Sequence, residues 1–164
     1  VATLIKERGI TPTSAVALRG SGGMANAVVA ALTDSGFSGT IVARNKETGP
    51  KLAERYGWQY STTVPAHAEM LVNVTPLGMK GANESDMSFT PEEVAAADVV
   101  FDCVAYPVET PLVTHATSCG KTVLNGGEII ALQAAEQFEK YTGVRPSAAD
   151  VENAEAYTRN PQLL

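Results

Sequence analysis

Six short apolar runs are spaced along the chain, and segments with helical periodicity separate most of them. Runs of this length are typical of strands buried on both faces, and parallel strands need crossover connections that cover both faces. The pattern therefore predicts an α/β protein with a Rossmann-type, doubly wound parallel sheet of six strands in the order 3-2-1-4-5-6. The strands are expected at residues 15–18, 40–43, 58–60, 70–74, 99–104 and 121–124.

Helices are expected where apolar residues recur three and four positions apart beside capping residues. Thr90-Pro91 and Thr110-Pro111 each combine an N-cap with a first-turn proline. Other helices are expected to end at Gly9 and to cover residues 25–32, 50–56, 128–141 and 148–157. The helix over residues 128–141 is predicted to bury one stripe, made of Ile130, Ala134, Phe138 and Tyr141.

A glycine-rich segment follows the first predicted strand directly. After Leu18 the chain reads Arg-Gly-Ser-Gly-Gly-Met-Ala, which fits a strand, a tight turn and a helix. Gly20 would allow the turn, Gly22 would let the backbone approach a pyrophosphate, and Gly23 would open the helix. The N–H groups and the dipole at that helix start would face the phosphates. The segment predicts a dinucleotide site, with an ordinary glycine turn as the alternative.

The residues after the second predicted strand bear on which dinucleotide would bind. An NAD site usually presents Asp or Glu there to bond the ribose 2′-hydroxyl. Here the segment is Ala43-Arg44-Asn45-Lys46. The planar guanidinium of Arg44 suits a 2′-phosphate, and Lys46 adds a second positive charge. The sequence favours NADP over NAD, with solvated surface charges as the alternative.

Candidate polar contacts also lie in two other places. Two residues lie at the end of the fourth predicted strand, and a third borders the apolar stripe of the helix over residues 128–141. Asn73 and Thr75 could offer polar groups to the slot of a nicotinamide ring, or they could organise the turn at Pro76. Gln133 could hydrogen-bond a polyol at the edge of the sheet, or it could be an ordinary boundary residue.

Composition and charge exclude several function classes. The 164 residues suffice for one domain, and a net charge of −6 gives no electrostatic case for nucleic acid or an anionic membrane. No apolar run approaches the ~18 residues of a membrane-spanning helix. Cys103 and Cys119 lack metal-binding spacing, so no metal site is expected and both are expected to be small core residues in a reducing cytosol. The first residues lack an initiator Met and are expected to be a helix cut from a longer chain.

Five motifs in a fixed order make the chain resemble a known family. Gly-Ser-Gly-Gly-Met-Ala, Ala-Arg-Asn-Lys, Asn-Val-Thr-Pro-Leu-Gly-Met, Pro-Val-Glu-Thr-Pro-Leu and Ala-Leu-Gln-Ala-Ala-Glu-Gln-Phe are similar to segments in the cofactor-binding half of shikimate dehydrogenases, in particular the shikimate dehydrogenase-like subgroup. The resemblance covers residues 1–151. It implies reversible hydride transfer between NADPH and 3-dehydroshikimate in a cytoplasmic enzyme of aromatic amino-acid biosynthesis. Residues 1–164 would be one NADP-binding domain, and the family's N-terminal substrate domain would lie outside this chain.

Carried over by motif, the resemblance also implies site residues. Cofactor contacts fall on Gly20, Ser21, Gly22, Gly23, Met24, Arg44, Asn45, Lys46, Thr75, Cys103 and Gly126, and a substrate contact falls on Gln133. Two segments depart from the family pattern. Ala105 lies where the family has a substrate-contacting Tyr, with Tyr106 displaced by one, and Glu128 places a carboxylate near the nicotinamide.

The acid/base pair of the family, a Lys and an Asp, belongs to motifs that this sequence does not contain. Lys80 and Asp102 are conceivable substitutes, but Asp102 ends a buried strand and Lys80 lies on a loop. We therefore expect no catalytic residue here and no turnover of shikimate by the isolated domain. The alternatives are a stand-alone nucleotide-binding or sensing module, or the cofactor half of a related enzyme such as quinate dehydrogenase, methylenetetrahydrofolate dehydrogenase or glutamyl-tRNA reductase. The choice between shikimate and quinate, and a homodimer of the longer protein, stay open.

Overall fold

A computed structural model describes residues 1–13, 15–147, 149–151 and 153–154 and contains the predicted sheet. The strands are β1 (Val16–Arg19), β2 (Gly39–Val42), β3 (Gln59–Ser61), β4 (Met70–Asn73), β5 (Val99–Asp102) and β6 (Thr122–Leu124). The helices are α1 (Ala2–Glu7), α2 (Gly23–Asp34), α3 (Thr48–Tyr56), α4 (Pro91–Ala96), α5 (Pro111–Ser118) and α6 (Gly126–Thr142). All strands are parallel, in the order β3-β2-β1-β4-β5-β6, which confirms the predicted fold.

Alternating side chains of the strands fill a separate core on each face of the sheet. On one face Leu18, Ile41 and Val72 pack with residues of α1, α2 and α3. On the other face Ala17 and Leu71 pack with residues of α4 and α5. Because the central strands bury both faces, they read as continuous apolar runs rather than as an alternation.

The helix starts agree with the capping residues predicted from the sequence. Thr90 Oγ1 accepts a hydrogen bond from the Glu93 N–H, and the Glu93 carboxylate accepts one from the Thr90 N–H, so α4 begins in a complete capping box. Thr110 Oγ1 accepts from the Val113 N–H and caps α5. The helix predicted over residues 148–157 lies in part outside the described residues. Within the described part of the chain, no helix combines the length and apolarity needed to cross a bilayer.

The stripe predicted to be buried on the last long helix is wrong. Its four members are all exposed to solvent: Ile130, Ala134, Phe138 and Tyr141. The helix α6 packs against the sheet with Ile129 and Leu132 instead. Two apolar rows overlap along α6, and helical periodicity alone could not decide which of them faces the sheet.

Cys119, which was expected in the core, is exposed. It is the C-cap residue of α5, just beyond the last helical residue. The apolar face of that helix, formed by Leu112 and Ala116, therefore ends before Cys119 reaches the sheet. Cys103 is partly buried and packs against the core, as expected.

Candidate functional site

The carboxyl ends of all six strands meet at one edge, because the sheet is parallel throughout. Five residues predicted from the sequence lie just beyond this edge: Gly20 after β1, Arg44 after β2, Thr75 after β4, Cys103 after β5 and Gly126 after β6. The strand order reverses between β1 and β4, and open α/β sheets bind ligands at such a point. The fold therefore brings five separate segments to one candidate site.

The loop between β1 and α2 contains one glycine that its backbone requires and two beside open space. Gly20 has a φ of 127°, and a Cβ there would lie 2.8 Å from Cγ2 of Val74, so glycine is required. Gly22 has an ordinary φ of −85°. A Cβ on Gly22 or Gly23 would meet no atom of the chain within 4 Å. The space beside these two glycines allows a ligand to approach the backbone closely.

The start of α2 has no side-chain cap. Gly22 is its N-cap, and its first turn contains no acidic residue. The helices α4, α5 and α6, in contrast, begin with side-chain caps from Thr90, Thr110 and Asn125. The free N–H groups and the positive end of the dipole of α2 can therefore receive the phosphates of a dinucleotide.

Two positive charges follow β2 at the same edge of the sheet. Arg44 and Lys46 are both exposed. None of the ion pairs between described residues involves either of them. Met24, on the first turn of α2, is 52% exposed. Both cations are thus available to an anionic ligand near the glycine loop.

Asn45 and Ser21 organise the turn that leads into α3. Asn45 Oδ1 accepts hydrogen bonds from the N–H groups of Glu47 and Thr48, at 2.9 and 3.0 Å. Ser21 Oγ lies 2.7 Å from Thr48 Oγ1, which joins the glycine loop to the same turn. These contacts hold the segment that carries Arg44 beside the start of α2.

Asp102, at the end of β5, is fully buried at the centre of a hydrogen-bond network. Its Oδ1 accepts from Asn73 Nδ2 at 2.9 Å and from the Val104 N–H at 3.1 Å, and its Oδ2 accepts from Thr110 Oγ1 at 2.6 Å. Asn73 Oδ1 in turn accepts from Thr75 Oγ1 at 2.6 Å. The network joins the ends of β4 and β5 to the start of α5. Of the two roles left open for Asn73, the structure shows the organisation of the turn.

Burial controls the protonation of both Asp102 and Cys103. It raises the pKa of Asp102, an effect that the hydrogen bonds from Thr110, Val104 and Asn73 oppose. Burial, together with the neighbouring charge of Asp102, raises the pKa of the Cys103 thiol to about 12. Cys103 is therefore a neutral thiol near neutral pH and a poor nucleophile. Asp102 has the structural role that its place at a strand end predicts.

Lys80, the other conceivable base, contacts the displaced Tyr106. Lys80 Nζ donates a hydrogen bond to the Tyr106 hydroxyl at 3.2 Å and lies 4.9 Å from the centroid of its ring. The Lys80 N–H also donates to the Tyr106 carbonyl at 3.0 Å. This pair joins the loop after β4 to the loop after β5, and the Tyr106 side chain is 57% exposed.

Gly126 and Glu128 have structural roles at the start of α6. A Cβ on Gly126 would lie 2.1 Å from the Val104 carbonyl oxygen, so the helix approaches that loop too closely for any side chain. Glu128 accepts from the Asn125 N–H in a capping box and forms an ion pair with Arg8. The carboxylate expected near the nicotinamide is thus engaged within the chain.

The contacts predicted for the nicotinamide and the substrate stay predictions. Gln133 is exposed on α6, and Thr75 and Cys103 are partly buried at the edge of the sheet. Among the residues that the structure describes, no group of three His, Cys, Asp or Glu side chains could hold a metal ion.

Arg19 was not singled out from the sequence, although it ends β1 at the same edge. Its Nη2 lies 3.8 Å from Oε2 of Glu93, and its guanidinium carbon lies 5.0 Å from the centroid of the Phe89 ring. The sequence does contain a signal for this residue: a single charge closes an otherwise apolar strand directly before the glycine loop.

Similar sequences are found among known proteins. A shikimate dehydrogenase-like protein of Haemophilus influenzae is 44% identical over 162 residues, which cover 97% of this chain and 60% of that protein. A shikimate dehydrogenase (NADP(+)) of Archaeoglobus fulgidus is 33% identical, over 82% of this chain and 53% of that protein. The chain therefore spans about half to three fifths of the length of these curated relatives. No family model matches the chain.

Similar folds are found among solved structures. A shikimate 5-dehydrogenase-like protein superposes with a TM-score of 0.92 at 44% identity, over 97% of this chain and 60% of that one. The shikimate 5-dehydrogenase of Thermus thermophilus, solved in complex with NADP(H) and shikimate, superposes with a TM-score of 0.79 at 27% identity, over 95% of this chain and 60% of that one. The resemblance carried by the five motifs is thus confirmed. By sequence and by fold, this chain is a relative of the shikimate dehydrogenases and shikimate dehydrogenase-like proteins and corresponds to a part of them.

Proposed function

We propose that this chain binds NADP and is the cofactor-binding part of a shikimate dehydrogenase-like oxidoreductase. One observation carries the proposal: the uncapped start of α2, with open space beside Gly22, lies next to the exposed Arg44 that follows the neighbouring strand β2. The helix start suits a pyrophosphate, and the guanidinium suits the 2′-phosphate that distinguishes NADP from NAD. The name of the Archaeoglobus fulgidus relative, shikimate dehydrogenase (NADP(+)), supports NADP as the cofactor, and the name of the Haemophilus influenzae relative supports the shikimate dehydrogenase-like assignment.

In this proposal the chain's own residues hold and orient the cofactor. Backbone N–H groups at the start of α2 bind the pyrophosphate, and Arg44 and Lys46 neutralise the 2′-phosphate. The nicotinamide is bordered by Thr75, Cys103 and Gly126. When bound there, NADPH would supply the hydride for the carbonyl carbon of 3-dehydroshikimate, and a proton on the carbonyl oxygen would complete the reduction to shikimate.

The proton for the carbonyl oxygen comes, in this proposal, from another part of the enzyme. A general acid must lie within ~2.6–3.2 Å of that oxygen, directly or through one water. Asp102 is buried and accepts three hydrogen bonds, and Lys80 contacts Tyr106. Gln133 can orient a substrate hydroxyl, but a neutral amide does not titrate. We therefore propose that the isolated chain binds NADP without turning over shikimate.

Titration of the chain with NADP and NAD tests the binding proposal. Arg44→Ala should weaken NADP binding by about 1.5–3 kcal/mol, the range for a hydrogen bond to a charged group, and should leave NAD binding nearly unchanged. Arg145→Ala is the matched control, because it also removes an exposed arginine but lies beyond the end of α6. Equal losses of NADP and NAD affinity would contradict the role of Arg44.

An assay that follows NADPH absorbance with shikimate and NADP tests the catalytic proposal. The purified chain should show no turnover, and activity should appear after the N-terminal domain of a full-length relative is added. Turnover by the chain alone, abolished by Lys80→Ala or Asp102→Ala, would place the base within these residues. NADP binding without activity in either mixture would favour a nucleotide-binding module over an enzyme part.

A further inference from the structure

We propose that Arg19 is a second guanidinium for the 2′-phosphate of NADP, so that Arg19 and Arg44 bind this group together. The inference rests on the proposed NADP function and adds a specificity-determining residue to it. Arg19 ends β1 and is paired in register with Val42, the last residue of β2, and Arg44 follows Val42 by two positions. The two arginines therefore leave neighbouring strands at the same edge.

The side chain of Arg19 lies on the face of the sheet that α4 and α5 cover. Ala17 and Val42 pack in the core under α4 and α5. Side chains two positions apart in a strand share a face, which directs Arg19 to the same side as Ala17. The contact of Arg19 with Phe89, a residue of that core, agrees with this direction.

The guanidinium of Arg19 lacks hydrogen-bond acceptors among the described residues. Its side chain is only 28% exposed, and its Nε is buried without a partner. The carboxylate nearest to it is that of Glu93, at 3.8 Å, and the same Oε2 already accepts the Thr90 N–H at 2.8 Å. Burying a cation without hydrogen-bond acceptors costs free energy of folding. The oxygens of a phosphate bound at this edge would be acceptors for the guanidinium.

The charges around Arg19 favour an anion as well. Burial lowers the pKa of Arg19 most, the carboxylate of Glu93 raises it, and the positive charge of Arg44 lowers it again. Arg44 therefore lies within electrostatic range of Arg19, and the two cations repel each other. A phosphate bound between them would turn this repulsion into two charge-assisted interactions. If Arg19 only anchored α4 through Phe89 and Glu93, its loss would change stability and not ligand choice.

Calorimetric titration with 2′,5′-ADP and 5′-AMP tests the inference, because these two ligands differ only in the 2′-phosphate. Arg19→Met keeps an apolar stem over Phe89 and removes the charge. It should weaken 2′,5′-ADP binding about 10- to 100-fold and leave 5′-AMP binding within about 2-fold. Arg145→Met, which changes the net charge equally, should alter neither affinity. A folded Arg19→Met chain that binds 2′,5′-ADP as Arg145→Met does would overturn the inference.

Two further measurements keep the test decisive if Arg19→Met does not fold. Arg19→Lys keeps the charge but loses the planar fork, so it should bind 2′,5′-ADP several-fold more weakly, with 5′-AMP unaffected. In the unsubstituted chain, the Nε–H resonance of Arg19 should shift with 2′,5′-ADP and not with 5′-AMP. An unchanged affinity in Arg19→Lys, or an Arg19 resonance that ignores 2′,5′-ADP, would overturn the inference.

The failure of this inference is distinguishable from the failure of the proposed function. If the unsubstituted chain binds neither 2′,5′-ADP nor NADP, both are overturned. If it binds 2′,5′-ADP, and Arg44→Ala weakens that binding while the Arg19 variants do not, only the role of Arg19 is overturned.

Discussion

Alanine substitutions at Gly20 and Gly22 should separate the fold of the glycine loop from its function. The two residues are two positions apart in one turn, but their surroundings differ. Gly20 has a φ of 127° and would place a Cβ 2.8 Å from Cγ2 of Val74. Gly22 has a φ of −85°, and its Cβ would meet no atom within 4 Å. Gly20→Ala should therefore affect the folded chain, and Gly22→Ala should affect only the bound ligand.

The expected loss of stability in Gly20→Ala has two parts. Backbone strain at this φ costs about 1–3 kcal/mol, and the contact with Val74 costs about 1–3 kcal/mol unless the valine moves. A total of about 2–6 kcal/mol is a large fraction of the roughly 5–15 kcal/mol that keeps a domain folded. At about 2–4 °C per kcal/mol for a chain of this size, the melting temperature should fall by roughly 4–24 °C.

The expected effect of Gly22→Ala is on the affinity for the cofactor. Its free energy of unfolding should change by less than about 1 kcal/mol, because alanine accepts this backbone conformation and lowers the entropy of the unfolded chain. The added methyl group would lie beside the N–H groups proposed to bind the pyrophosphate, and a steric overlap there costs about 1–3 kcal/mol. NADP and NAD should lose affinity equally, since both contain the pyrophosphate. Gly22→Val should abolish the binding of both.

Thermal melting without cofactor and calorimetric titration of NADP and NAD would measure the two effects. Gly57→Ala is the control for backbone strain alone, because Gly57 has a φ of 69° and no atom within 4 Å of its Cβ position. It should cost about 1–2 kcal/mol of stability without a change in affinity. A Gly22→Ala chain that folds and binds NADP normally would show that the glycines only make a turn. A normal melting temperature for Gly20→Ala would refute the steric argument.

Three further outcomes concern the buried groups near the strand ends. Asp102→Ala removes the carboxylate that accepts hydrogen bonds from Asn73, Val104 and Thr110. It should lower the free energy of unfolding by about 3–5 kcal/mol in urea titrations, against less than about 1 kcal/mol for Asp98→Ala, an exposed control. Similar losses in both variants would contradict the role of the network. Because burial raises the pKa of Asp102 above its ordinary 3.8, the folded state keeps that proton at pH values where the unfolded state has lost it. We therefore compare the free energy of unfolding of the unsubstituted chain with that of Asp102→Asn, which has no carboxyl group to titrate. The first minus the second should fall as the pH rises from 3.8 through the raised pKa of Asp102. A difference that increases with pH would show that the pKa of Asp102 is not raised. Cys119, which is exposed, should be alkylated quickly by iodoacetamide in the folded chain, whereas Cys103, with a pKa of about 12, should react only after unfolding; mass spectrometry distinguishes this from equal labelling.

The sheet could be predicted from the sequence because every central strand is buried on both faces. The apolar run at Val16, Ala17 and Leu18 lies in the observed β1, and the other five strands lie within one or two residues of their expected bounds. The largest difference is at β5, which was expected to continue to Val104 but ends at Asp102. Cys103 and Val104 are apolar, but the Val104 N–H bonds the Asp102 side chain instead of a neighbouring strand. The hydrophobicity of the sequence does not predict such a turn.

Parts of the site could not be predicted because they depend on contacts between distant segments. The sequence marks Asn73 and Asp102 as polar residues near strand ends and Thr110 as a helix N-cap, but only the fold shows that Asp102 accepts hydrogen bonds from both of the others. The exposed apolar row of α6 is a similar case, because the sequence alone does not decide whether Ile129 or Ile130 packs against the sheet. The positions of the glycine loop between β1 and α2 and of Arg44 after β2, in contrast, could be predicted because they depend on local order in the chain.

The polar groups at the carboxyl edge of the sheet form two sets: those with hydrogen-bond partners among the described residues, and those without. Beyond β4, β5 and β6, the groups of Asn73, Asp102 and Thr110 bond one another, and side chains cap the helices that follow. Beyond β1 and β2, the start of α2 has no cap, and neither Arg19 nor Arg44 has a hydrogen-bonded acid. A polar group without a hydrogen-bond partner in the chain gains most when a ligand binds, because it forms a new hydrogen bond without first breaking one within the chain. The chain should therefore bind the adenosine and phosphate half of NADP through its own residues. In the proposed complex, the nicotinamide half would meet a surface whose polar groups are already bonded, so its position should depend more on the rest of the proposed enzyme.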